Sequence, residues 1–150
     1  MAITFKKGGS LFDEDVVAIV NPVNTVGVMG KGLALEFKKR FPTNYDLYRA
    51  ACKNDEVHTG QMFVTHTDNT PGIIVNFPTK QHWRGKSKLA YVSEGLDDLA
   101  KVIAAEKMAS IALPPLGCGY GGLAWTEVKR LIEEKLSEVA NDVEVIVFEP

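Results

Sequence analysis

Cysteine is scarce here. Cys52 and Cys118 are the only two in 150 residues, and no C-x-x-C pair occurs. A disulfide framework and a thiolate zinc site are set aside on that ground, and neither a metal nor a cofactor is expected. Long apolar runs are also missing, none approaching the roughly 20 residues that span a bilayer. Nor is there an excess of either charge: 17 Lys and Arg stand against 19 Asp and Glu, a net charge of −2. That balance excludes a wholesale basic nucleic-acid binder and confines any such contact to one locally basic face. Repeats, low-complexity tracts and linkers are absent as well. What remains is a soluble, cytoplasmic chain without membrane contact, long enough at 45% hydrophobic composition for one domain (residues 1–150) with a substantial core.

Present instead is an alternation of short apolar runs and amphipathic segments. Val16–Asn21, Met62–Thr65, Ile73–Phe77, Ser110–Leu113 and Val143–Phe148 read as strands, and Ile3–Phe5 is a further short apolar start. The turn residues of Asp68–Gly72 make Met62–Thr65 and Ile73–Phe77 a hairpin. Helices are expected over Gly32–Phe41, stopped by Pro42; over Asn44–Lys53, capped by Thr43; from Ser87, with Leu89, Val92, Leu96, Leu99 and Ile103 on one face; and over Trp125–Val139. This order predicts an α/β fold, a three-layer α/β/α domain around a central mixed, largely parallel sheet.

Two glycine-rich turns follow strands. Asn21–Phe37 (NPVNTVGVMGKGLALEF) leads an apolar run into a helix through three glycines, a junction that holds an anion through backbone amides and the helix N-terminus. The second turn is PPLGCGYGGL, containing Leu116–Gly122. Loops at the carboxyl ends of strands gather around one crevice, so the two turns suit one elongated diphosphate ligand. A Walker A loop fails, because Thr25 and Gly32 stand where Gly and Ser or Thr are needed. A dinucleotide fingerprint matches Gly117, Gly119 and Gly122, with Glu149 after the next strand, but too near the C-terminus for the remainder of that fold.

Asn21-Pro22-x-Asn24, then Gly-x-Met-Gly-Lys-Gly-Leu-Ala-Leu-x-Phe, then Pro-x-Leu-Gly-Cys-Gly-x-Gly-Gly-Leu-x-Trp resemble, in order, the macrodomain family of ADP-ribose binders and hydrolases. The resemblance implies that Asn24 reaches the distal ribose between Gly30 and Gly32, and that Leu116, Gly117, Cys118, Gly119, Tyr120, Gly121 and Gly122 wrap the diphosphate. It also implies ADP-ribose contacts from Leu11 and Thr79. Many macrodomains carry Gly-Asp where this chain has Gly9-Ser10, so Ser10 replaces the carboxylate that takes the adenine amino group. Phe148 either stacks on adenine or packs in the core, Tyr120 covers the ribose or shields its loop, and Cys118 packs beneath the turn.

Residues 76–96 (NFPTKQHWRGKSKLAYVSEGL) resemble the DarG-type branch, whose members remove ADP-ribose from thymidine in DNA through a lysine. That resemblance makes Lys80 catalytic. An attacking amine must be neutral, so its pKa must fall from about 10.4 towards roughly 7–8. Burial and a neighbouring cation can supply such a shift, with Arg84 and His82 as the candidates nearby in sequence. Lysine-dependent relatives acting on proteins carry an acidic residue after the Gly-Cys-Gly turn, whereas Gly121 here matches the DNA-acting branch. His82, Trp83, Arg84 and Lys86 form a basic, aromatic-interleaved strip suited to single-stranded nucleic acid, with Trp83 either on that surface or tucked into the core.

The expected activity is therefore a Lys80-dependent DNA ADP-ribosyl glycohydrolase, an antitoxin in a toxin–antitoxin system and a DNA-repair activity. Its expected partners are ADP-ribose, ADP-ribosylated single-stranded DNA and a cognate DarT-type DNA ADP-ribosyltransferase toxin. A monomer is expected, as the N-terminal part of a longer protein. Two alternatives remain: an ADP-ribose reader without turnover, and an ADP-ribose 1″-phosphate phosphatase.

Overall fold

The computed structural model describes residues 3–150. Its six strands are β1 (Thr4–Lys6), β2 (Ala18–Val23), β3 (Phe63–His66), β4 (Ile73–Pro78), β5 (Ser110–Leu113) and β6 (Glu144–Phe148). They form one sheet in the order β1-β6-β5-β2-β4-β3. Only β3 runs antiparallel, paired with β4 from Phe63 opposite Asn76 to His66 opposite Ile73, as the hairpin reading expects.

Four α-helices cover the two faces: α1 (Gly32–Arg40), α2 (Pro42–Lys53), α3 (Leu89–Ala105) and α4 (Trp125–Leu136). Alternation along the strands assigns each side chain to a layer. Ala18, Val20, Val75 and Phe77 pack with Val92, Leu96, Leu99, Val128 and Ile132 on the α3/α4 side. Ile19 and Ile74 face Phe37 of α1, and Val23 joins Met29 and the α2 residues Tyr48 and Ala51. The three-layer arrangement is therefore present, with every strand but the antiparallel edge running the same way.

The helix limits differ from expectation at three points. Pro42 both stops α1 and opens α2 at its first helical position, where a missing N–H costs nothing, so Phe41 is the cap residue and Thr43 lies inside the helix. Helix α3 starts at Leu89, because Ser87 is held by the glycine turn through its N–H to Gly121 O at 3.0 Å. Helix α4 ends at Leu136, and a separate 3-10 turn over Val139–Asn141 follows. No described helix is long and apolar enough to cross a membrane.

The topology dictates where a ligand can enter. From β2 the chain leaves towards β3 and β4, whereas from β5 it leaves towards β6, so the two connections diverge at the β2/β5 boundary. Such a switch point opens a crevice at the carboxyl ends of the strands. Prolines widen it here. Pairing of β2 with β5 stops at Ile19 opposite Ala112, and beyond it Pro22 and the Pro114-Pro115 pair offer no N–H to continue the ladder.

Candidate active site

The crevice is a cavity of about 500 Å³ floored by Pro22, Val23, Pro114 and Pro115. Three loops wall it, following β2, β4 and β5. Gly30, Lys31, Leu33 and Ala34 bring the start of α1 to its edge, Thr79, Lys80 and Trp83 come from the β4 loop, and Gly117, Gly119, Tyr120 and Gly121 come from the β5 loop.

Asn24 builds the first wall. Its Oδ1 accepts from the amides of Val26, Gly27 and Val28 at 3.1, 3.1 and 3.3 Å, and its Nδ2 donates to Val28 O at 2.8 Å. The single hydroxyl proton of the fully buried Tyr48 is shared between Asn24 O and Oδ1, each 2.8 Å away. Burial holds that phenol far above its ordinary pKa, so it stays protonated and keeps donating. Asn24 therefore lines the cavity while its amide fixes the loop. This loop is tied to the next by Thr25 N to Gln81 O at 2.9 Å and Thr79 N to Val23 O at 2.9 Å.

Those ties deliver Lys80 to the cavity edge. Its Nζ donates to Trp83 O at 3.2 Å. Its pKa is lowered, first by burial and second by the Lys31 ammonium across the cavity. The depressing cation is thus neither of the two expected from sequence. Arg84 instead lies over the Trp83 ring at 4.5 Å, and its N–H donates to His82 Nδ1 at 3.0 Å. Lys31 is a site residue that the sequence presents only as a loop lysine, and the fold alone brings it opposite Lys80.

Trp83 is 38% exposed, lines the cavity and stacks on His82 with ring centroids 5.1 Å apart, so it is not tucked into the core. His82, Arg84 and Lys86 extend outward on the same exposed loop and do not line the cavity. Tyr120, 70% exposed, projects over the rim, where a Cβ on Gly32 would come within 3.2 Å of its ring, and Lys31 sits 5.6 Å from its centroid. It thereby bridges the two glycine loops.

The second turn is shaped by its lack of side chains. A Cβ on Gly121 would lie 2.3 Å from Ser87 Oγ and 2.5 Å from Gly117 O, and Gly117 itself has φ +72°. An acidic side chain at 121 has no room in this backbone. Leu116 points away into the α3/α4 core, and Cys118 packs against the same core. Burial pushes the Cys118 thiol up to about 11, which leaves it an inert thiol at neutral pH. Gly122 lies beyond the cavity lining, as does Gly32.

Ser10, Leu11 and Phe148 gather at the β1/β6 end of the same strand edge, outside the 500 Å³ cavity. Ser10 Oγ accepts from Phe12 N at 3.2 Å and caps a 3-10 turn over Leu11–Asp13, while Leu11 and Phe148 are buried together. Gly9 meets Phe148, since a Cβ there would stand 3.8 Å from its ring. Glu149, the acid of the dinucleotide fingerprint, is occupied: Trp125 Nε1 donates to it at 3.1 Å and Lys129 pairs with it at 3.6 Å.

Known proteins resemble this chain in both sequence and structure. The Macro domain family profile matches residues 20–132. A DNA ADP-ribosyl glycohydrolase of Thermus aquaticus is 53% identical over 144 residues, covering 95% of this chain and 40% of that protein. The protein of the same name from Mycobacterium tuberculosis is 48% identical over 144 residues, covering 95% and 41%. Among solved structures, the macrodomain of Mycobacterium tuberculosis DarG matches with a TM-score of 0.95 at 47% identity, over 99% of this chain and 97% of that one. Thermosipho africanus DarTG in complex with ADP-ribose matches with a TM-score of 0.90 at 31% identity, over 98% and 42%. The chain thus spans about two-fifths of the length of the curated relatives it matches.

Proposed function

This chain belongs to the macrodomain family, and from that premise we propose that it is a hydrolase removing ADP-ribose from thymidine bases of single-stranded DNA. The observation that carries the reading is Lys80: a partly buried amine of lowered pKa, on the wall of a cavity shared with two glycine loops. In this reading ADP-ribose lies along the strand edge, with adenine towards Ser10, Leu11 and Phe148. The diphosphate lies over Gly117–Gly121 and the distal ribose beside Asn24 and Thr79. The Lys80 lone pair forms a bond to the anomeric carbon as the C–N bond to thymine N3 breaks. The departing electrons spread over the two flanking carbonyls, and a proton from solvent restores the base. Water then displaces the lysine amine, releasing ADP-ribose. Trp83, exposed at the rim with Arg84 over its ring, offers the thymine or its neighbour a stacking face.

Gly121 favours this substrate class over a modified protein, since the space that an acidic residue would need is filled by Ser87 and Gly117. The relatives named DNA ADP-ribosyl glycohydrolase and the DarTG structure with ADP-ribose support the hydrolase reading, and the role proposed with it is that of a cytoplasmic antitoxin to a DarT-type transferase. The test is release of ADP-ribose from an ADP-ribosylated oligonucleotide. Lys80→Ala should lower kcat by about 10²–10⁴-fold, the usual share of a positioned proton-transfer or nucleophilic group, with ADP-ribose affinity within a few-fold. Wild-type turnover by the variant would remove the lysine mechanism. Phosphate release from ADP-ribose 1″-phosphate, faster than release from DNA, would replace the reaction.

A further inference from the structure

A second hollow of about 500 Å³ lies on the outer side of the loop that forms the first cavity wall. Val28 and Gly30 line both, so one strand of backbone separates them. The hollow is cationic. Lys38 of α1 and Arg49 and Lys53 of α2 line it, all three exposed and none in an ion pair among the described residues. Lys38 lies 4.6 Å from the Tyr45 ring, and Arg49 packs its stem against Gly27, where a Cβ would be 3.7 Å from its Cγ. The acids of these helices do not neutralise it, since Glu36 is paired with Arg40 and Asp46 stands alone against three cations.

Charge is segregated over the whole chain. Residues 31–53 contain six Lys and Arg against two acids, and residues 80–88 contain four against none. Everything else contains seven Lys and Arg against seventeen acids. Thus the two basic segments of an acidic protein meet at one rim. The Thr25–Gln81 hydrogen bonds hold the hollow's loop beside Lys80, and the ridge between hollow and cavity carries Val26 and Val28, 47% and 38% exposed. Cations spaced on either side of an apolar ridge, with the Trp83 ring across the cavity, fit a polynucleotide, whose phosphates repeat while its bases seek flat apolar faces.

We propose that Lys38, Arg49 and Lys53 form a backbone-binding groove for single-stranded DNA, holding the phosphates on one side of the nucleotide at Lys80 while the Arg84–Lys86 strip holds the other. The groove rests on the DNA reading of the cavity, but its test needs no chemistry. The probe is an unmodified, fluorescently labelled oligo-dT, its affinity measured across a salt series. Combined Lys38→Glu, Arg49→Glu and Lys53→Glu substitution should weaken binding at least about tenfold at low salt and flatten the log–log salt slope by about 2, since each phosphate neutralised on a single strand adds about 0.7 to it. ADP-ribose affinity reports that the variant is folded, and Lys53→Gln alone, expected to flatten the slope by about 0.7, serves if the triple variant is not. Wild-type slope and affinity in both variants overturn the groove, and if wild type still releases ADP-ribose from modified DNA the proposed function stands without it. Conversely, a flattened slope in a protein that leaves modified DNA intact supports the groove and removes the proposed function. Equal competition by polyglutamate overturns the nucleic-acid assignment in favour of an acidic protein surface.

Discussion

The Lys80 amine owes its lowered pKa first to burial and second to Lys31, a residue distant in sequence. Because the lowered pKa makes the amine neutral at lower pH than a free lysine, kcat/KM should rise with pH and level off above the Lys80 pKa in the unliganded enzyme. Lys31→Gln removes a like charge, so Lys80 should hold its proton more tightly and the rising limb should move to higher pH. A limb that stays in place would mean that Lys31 is electrically irrelevant to Lys80. Lys80 itself was legible in the sequence, since a residue just past a strand end and Pro78 falls at the crevice. Lys31 was not, because nothing in a one-dimensional pattern says that the loop after β2 and the loop after β4 face each other. Gly121 offers a second residue-level test. Gly121→Ala should impair ADP-ribose binding because its Cβ meets the Gly117 carbonyl at 2.5 Å as well as Ser87 Oγ at 2.3 Å. Ser87→Gly would relieve only the second clash, so the double variant should remain impaired, measured by calorimetric titration with ADP-ribose.

Helix α3 and strand β4 meet at Gly95, where an added Cβ would lie 2.4 Å from two atoms of the fully buried Phe77 ring. Alanine at a helix interior is worth about 1 kcal/mol over glycine by propensity. Overpacking a closed core costs about 1–3 kcal/mol, so Gly95→Ala should destabilise the fold on balance. Adding Phe77→Leu should recover part of the loss in a denaturant titration, and a stabilised Gly95→Ala protein would show that α3 stands further from the sheet. Among the elements, the periodic apolar face of α3 was plain from sequence, and so was the β3–β4 hairpin. Helix starts were less so. Thr43 has the chemistry of a cap, but Pro42 is better placed as the first helical residue, and Ser87 was drawn out of α3 by the glycine turn. In both cases a neighbouring constraint outweighed local preference. The loop after β2 shows the same limit from the other side: Asn24 is a ribose-contact candidate only through the family resemblance, and its hydrogen bonds to three amides and Tyr48 depend on a helix packed over it.

At the scale of the whole molecule, a single topological reversal sets the site. Because the β2 and β5 connections part company and prolines follow the end of the ladder between them, the three loops that carry the candidate site residues share one cavity. Alternating strands and helices make that fold class readable, whereas strand order is not, since it is fixed by crossovers and long-range packing. Charge segregation completes the picture, with ten of the seventeen Lys and Arg in two segments that border the cavity or the groove beside it. In the proposed reaction, the Lys80 amine, its pKa lowered at the edge of an ADP-ribose cavity, breaks the bond to thymine on a basic DNA-binding rim. That reaction is tested most directly by incubating wild type and Lys80→Ala with thymidine-ADP-ribosylated single-stranded DNA and resolving the products by mass. Wild type should yield free ADP-ribose and restored unmodified oligonucleotide, and Lys80→Ala should leave the substrate intact. Intact substrate with wild type, or equal release by both proteins, would contradict the proposed reaction.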